Sequence, residues 1–131
     1  MEIFTVVAAG LASFVFGAIW YSVLAKPWMA ASGVELDEKG RPANRSNPLP
    51  YITAVIGAIL IAGMMRHVLV LSGIDGPIQG LVAGLGIGLF VVTPWLATFY
   101  GFSGRPMRLL AIDGGYATLG SGLIGLVLII L

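Results

Sequence analysis

Four apolar runs, at residues 3–24, 51–71, 78–100 and 109–131, restrict the possible folds more than any other feature of this chain. Each reaches the roughly 20 residues that an α-helix needs to cross a hydrocarbon core of about 30 Å. None alternates apolar and polar side chains as a barrel strand does, and so few strands could not close into a barrel. The runs predict an all-α integral membrane protein with four transmembrane helices in an antiparallel bundle, a single domain over residues 1–131. Composition points the same way. The chain is 58% hydrophobic and 10% charged, whereas a soluble domain carries about 25% charged residues and could not hide so much apolar surface. The first run follows Glu2 instead of a basic segment and exceeds the usual apolar stretch of a signal peptide, so it reads as a retained helix.

The longest break, residues 25–50, is a surface loop holding Lys26, Glu35, Asp37, Glu38, Lys39, Arg41 and Arg45. Within it KPWMAAS fits a short interfacial helix, with Pro27 in the first turn and Trp28 and Met29 entering the headgroup layer. The breaks at 72–77 and 101–108 are tight, which predicts that helices two, three and four are antiparallel neighbours. Lys26, Lys39, Arg41, Arg45, Arg105 and Arg108 all fall in or beside the first and third connections. By the positive-inside rule, loops 25–50 and 101–108 are expected in the cytoplasm, with both termini periplasmic in the inner membrane of a bacterium.

GAIWYS at 17–22, Trp28 and Met29 just after it, FSGRP at 102–106 and IDGGY at 112–116 together resemble the bacterial membrane-protein family catalogued as domain of unknown function 1761. The likeness covers nearly the whole chain, with Val23 standing where that family often has proline. It implies a four-helix membrane protein without an assigned activity, and it brings no catalytic residue.

Lipid tails give helices no hydrophobic reason to associate, so close packing across small residues must supply much of the attraction. Stripes at four-residue spacing occur in every run. Thr5, Ala9, Ser13, Gly17 and Tyr21 form one, and Ala54, Ala58, Ala62 and Arg66 another. Gly80, Gly84 and Gly88 form a third; Asp113, Ala117, Ser121 and Gly125 form the fourth. GLGIG at 84–88 lies within an apolar run and reads as helix packing instead of a nucleotide loop.

Charged residues are placed by depth. Asp113 stands four residues beyond Leu109, roughly 6 Å into its helix, whereas Arg66 stands fifteen residues from Tyr51, roughly 22 Å from the basic side. The two are therefore not expected to pair. Arg66 is an outer-side charge that snorkels, with Glu2 or Asp75 near its head; with His67 it would alternatively offer a site for an anion. At the depth of Asp113 the expected polar cluster is Trp20, Tyr21, Thr93 and Tyr116, with Ser22, Trp95 and Thr98 nearby and Lys26 or Arg108 able to reach it. Pro94 removes a backbone hydrogen bond and frees carbonyls that need partners. An Asp at the centre of an inserted helix costs about 2.5 to 3.5 kcal/mol, and less near the interface, where the helix dipole also favours an acid.

Asp113 thus reads either as a structural hydrogen-bonding group near a helix start or as a proton- or cation-exchanging carboxylate on a transport path. No cysteine and a lone histidine provide no metal set, no cofactor is implied, and a net charge of +1 gives no field for nucleic acid. With no nucleophile–base set either, the expectation is a non-enzymatic subunit. It would sit in the bilayer as a homo-oligomer or with other membrane subunits, joined through its Gly and Ala faces. The alternative is a small-solute or proton-coupled transporter using Asp113.

Overall fold

The computed structural model describes residues 2–131 and is helical almost throughout. The helices are α1 (Glu2–Val23), α2 (Ala25–Ser32), α3 (Leu49–Leu71), α4 (Pro77–Ile87), α5 (Thr93–Ser103) and α6 (Met107–Ile130). A π-helical turn, Gly88–Val92, joins α4 to α5. Four helical stretches, Glu2–Val23, Leu49–Leu71, Pro77–Ser103 and Met107–Ile130, are long and apolar enough to cross a membrane.

Local chemistry sets the boundaries. Pro50 lies in the first turn of α3 and Pro77 opens α4, where a missing N–H costs nothing. The α5–α6 link turns at Gly104, whose φ of 73° suits a residue without Cβ; the Arg105 N–H closes the turn on the Tyr100 carbonyl at 2.8 Å. The basic connection begins with α2, as the KPWMAAS pattern predicts, and then folds back on itself at a Leu36–Pro42 bridge.

In the third span the fault expected from Pro94 takes a definite form. The helix widens into the π turn just before Thr93 and Pro94, and the Thr93 hydroxyl donates to the Gly88 carbonyl at 2.7 Å. The Gly88 carbonyl also accepts the Thr93 backbone N–H across this wider turn, so it holds two donors, while the N–H that Pro94 lacks would have served the Leu89 or Phe90 carbonyl one turn earlier.

α6 is the central helix, packed against α1, α3 and the whole third span. Its apolar window is 39% buried, against 17–28% for the other three. Its closest partner is α4. A Cβ added to Gly80 would lie 2.6 Å from the Gly125 carbonyl oxygen; one on Gly84 would lie 2.1 Å from that of Ser121, and one on Gly88 2.3 Å from that of Ala117. The two helices therefore cross backbone to backbone, in antiparallel steps of four residues on each side.

This close pairing alters one expectation. α3 and α4 are joined by a short turn, yet they barely touch; α3 packs on α1 and α6 instead. The glycine face draws α4 onto α6, and Gly10 lets α1 approach the Ile59 backbone of α3. Packing at these small residues, not loop length, selects the neighbours.

The interior is divided by chemistry. At the end carrying the termini, Ala9, Ala62, Met65, Leu69, Ile124 and Leu128 form an apolar core where α1, α3 and α6 meet. At the end carrying Lys26 and Arg105, the interior is aromatic and polar.

Candidate functional site: a carboxylate held by two phenols

Asp113 lies six residues into α6, roughly 9 Å along the helix. Tyr21, near the end of α1, donates its hydroxyl to Oδ1 at 2.6 Å. Tyr100, near the end of α5, donates to Oδ2. One half-buried carboxylate thus joins three of the four spans, each oxygen accepting from a different one. No buried side-chain nitrogen or oxygen among the described residues lacks a partner.

The residues around Asp113 fit GAIWYS to IDGGY reciprocally. The Trp20 indole N–H donates to the Ile112 carbonyl at 3.0 Å, and its ring lies over Gly115, where a Cβ would come within 2.8 Å of Cζ2. In the other direction the Tyr116 ring lies over Gly17, where a Cβ would come within 2.8 Å of Cζ. The Tyr116 hydroxyl donates to the Ser13 carbonyl at 3.1 Å and stands 3.4 Å from the Ser13 hydroxyl. Each motif therefore supplies a glycine that receives the other's aromatic ring. Gly114 faces Thr93, whose hydroxyl lies 3.5 Å from the Gly114 carbonyl as well as bonding Gly88.

Further rings close the cluster. Tyr21 meets Tyr116 edge-on at 5.6 Å between centroids and Trp28 of α2 edge-on at 6.2 Å. Phe16 packs on Trp20 at 5.9 Å and on Tyr116 at 6.2 Å. Such pairs contribute about 0.5 to 1.5 kcal/mol each beyond their area. Arg105 Nη1 donates to the Ser32 carbonyl at 3.2 Å, so the α5–α6 link secures the last turn of α2 beside the cluster.

The structure thus brings Trp20, Tyr21, Asp113 and Tyr116 together, while Thr93 binds backbone carbonyls rather than the acid. Ser22 and Thr98 bond the carbonyls of Ala18 and Pro94 in their own helices, and Trp95 stacks on Phe99 at the surface. Neither Lys26 nor Arg108 forms an ion pair with Asp113. Tyr100 is the partner that reading the sequence missed. It stands seven residues after Thr93, two helical turns along the same face, and that spacing was the available signal.

The stripe residues Thr5, Ala9, Ser13 and Gly17 are buried, as are Ala58 and Ala62, whereas Ala54 is exposed. Gly80, Gly84, Gly88, Ser121 and Gly125 are buried between α4 and α6, with Ala117 half-buried. At the opposite end Arg66 Nη2 pairs with Glu2 Oε1 at 2.9 Å, and His67 is exposed. Among the described residues no three His, Asp or Glu side chains gather closely enough to hold a metal ion.

These features define a multi-pass membrane protein whose spans are joined at one end by a carboxylate, two phenols and interlocked aromatic rings. The chain belongs to the family described as protein of unknown function DUF1761, whose profile matches residues 4–129. No curated protein and no solved structure matches it.

Proposed function

We propose that this protein is a non-enzymatic accessory subunit of a membrane complex, built to hold its spans in one arrangement and to present an outer face to a partner or a second copy. The observation that carries this reading is the engagement of Asp113. Both of its oxygens accept from phenols on other spans, whereas a carrier carboxylate must be reached and released by its proton or cation. The small-residue faces are turned inward, so the partner surface is assigned elsewhere, to the outer side of the third span. There Val91, Trp95, Phe99 and Phe102 are exposed along one helical face. The distribution of Lys and Arg supports an inner-membrane location with both termini periplasmic and loops 25–50 and 101–108 cytoplasmic.

The alternative is a small-solute or proton-coupled transporter using Asp113. In its favour, Asp113 forms no ion pair among the described residues. Purification in native lipid, with mass measurement and identification of co-purifying chains, separates the two. A stoichiometric partner or defined oligomer that is lost on Trp95→Ala plus Phe99→Ala supports the subunit. A monodisperse single chain that moves solute overturns it. A reporter fused after Leu131 is expected to behave as periplasmic, and a cytoplasmic signal would reverse the orientation.

A further inference from the structure

At the end opposite the phenol-bound carboxylate, a half-open cavity of about 210 Å³ lies between α3, α6 and the α3–α4 turn. It follows from the packing: α4 is drawn onto α6, α3 stays with α1, and the turn at 72–76 spans the resulting wedge. Leu69, Ile74 and Leu128 form apolar walls, and Arg66 and Asp75, of opposite charge, also line it. Arg66 stands five residues before the end of α3, roughly 7 Å along the axis, where a snorkelling guanidinium reaches the headgroup layer. Its one ion pair among the described residues, to a largely exposed Glu2, uses Nη2 and leaves other donors of the five-donor fork available.

We propose that this cavity binds the headgroup of an aminophospholipid, with Arg66 donating to the phosphate and Asp75 accepting from the primary ammonium. A guanidinium matches phosphate geometry with paired donors, and a carboxylate matches an ammonium that still carries N–H groups. The pairing selects phosphatidylethanolamine over phosphatidylglycerol, which has no ammonium, and over phosphatidylcholine, whose quaternary nitrogen has no N–H. The volume is below the roughly 300 to 1,000 Å³ of sites that enclose drug-sized ligands, so a headgroup fits with its acyl chains left outside, along the exposed Val70 and Leu71. The proposal is independent of the function proposed for Asp113.

The test is native mass spectrometry of the full chain released from nanodiscs holding phosphatidylethanolamine and phosphatidylglycerol in equal amounts, repeated with phosphatidylcholine replacing phosphatidylglycerol. The wild type is expected to retain phosphatidylethanolamine preferentially in both. Arg66→Gln should lower retention of every phospholipid about tenfold, equivalent to about 1.4 kcal/mol. Asp75→Asn, placed in a turn where it spares the helices, should keep phospholipid binding but erase the preference for phosphatidylethanolamine. Glu2→Gln should not weaken retention. Equal retention of all three lipids by the wild type, or an undiminished preference in Asp75→Asn, would overturn the site. If Arg66→Gln fails to fold, the Asp75→Asn comparison decides alone.

Discussion

Tyr21 and Asp113 are 92 positions apart in the chain and meet at 2.6 Å, phenol to carboxylate. That bond, with its counterpart from Tyr100, connects the last turn of α1 and the last turn of α5 to the beginning of α6. Hydrogen bonds to a charged group contribute about 1.5 to 3 kcal/mol. Tyr21→Phe and Tyr100→Phe should each destabilise the bundle by an amount in that range, measured by unfolding in detergent. Because both act on one carboxylate, the double variant should depart from additivity by about 0.5 kcal/mol or more. Strict additivity would mean that the two phenols do not share Asp113.

The glycine and aromatic interlock predicts a loss and its relief. Gly17→Ala puts a Cβ into the Tyr116 ring, an overpacking that typically costs about 1 to 3 kcal/mol. Combining it with Tyr116→Leu, which removes the ring, should cost less than the sum of the two single changes. If the losses simply add, Gly17 is not there to receive that ring.

Backbone crossing predicts a sharper contrast within the third span. Gly84→Ala places a methyl 2.1 Å from the Ser121 carbonyl oxygen, which neither backbone can relieve without separating α4 from α6. The variant should lose about 1 to 3 kcal/mol or more. Gly86→Ala, two residues away, meets nothing within 4 Å and should be neutral or stabilising by about 0.5 to 1 kcal/mol through helix propensity. Melting temperatures of the two purified variants check the contrast.

The basic connection has its own pH response. The Arg41 backbone N–H is the largest influence holding the Asp37 carboxyl below its ordinary range, assisted by the Lys39 N–H and the Arg41 and Arg45 charges. Both N–H groups reach Oδ1 at 2.9 Å, while the Arg41 and Arg45 side chains approach Oδ2 at 3.4 and 3.6 Å. A lowered folded-state value means that the loop's stabilisation is present above the unfolded value of about 3.9. It is lost as pH falls through the lower folded value. Protection of the Lys39 and Arg41 amides against exchange should fall in that acid window, and Asp37→Ala, which removes the acceptor, should show little protection already at neutral pH.

Much of this arrangement is legible in the sequence, and the remainder is hidden for identifiable reasons. Run length against bilayer thickness locates the spans, and four-residue spacing places Gly80, Gly84 and Gly88 on one face. Spacing alone does not say what that face meets; the opposing Ala117, Ser121 and Gly125 carbonyls come from a helix some 40 residues away. Gly115 and Gly17 look like the same kind of residue, yet they accommodate rings instead of backbone. Tyr100 reads as an interfacial aromatic because the apolar run stops there, whereas the helix continues to Ser103 and so leaves that hydroxyl at the depth of Asp113. Loop length suggested that α3 and α4 are neighbours, but a five-residue turn constrains only their ends. Depth along the helix excludes Asp113 as a partner of Arg66 and leaves Glu2 among the candidates, and Glu2 is the residue it pairs with.

As proposed, Asp113 is a fixed junction between spans and carries nothing across the membrane. Proteoliposomes containing the wild type or Asp113→Asn, examined for pH-dependent uptake and efflux alongside melting temperature and assembly state, test it most directly. No flux is expected for the wild type, with Asp113→Asn melting earlier and assembling poorly. Wild-type flux that Asp113→Asn abolishes, with assembly and melting unchanged, would contradict it.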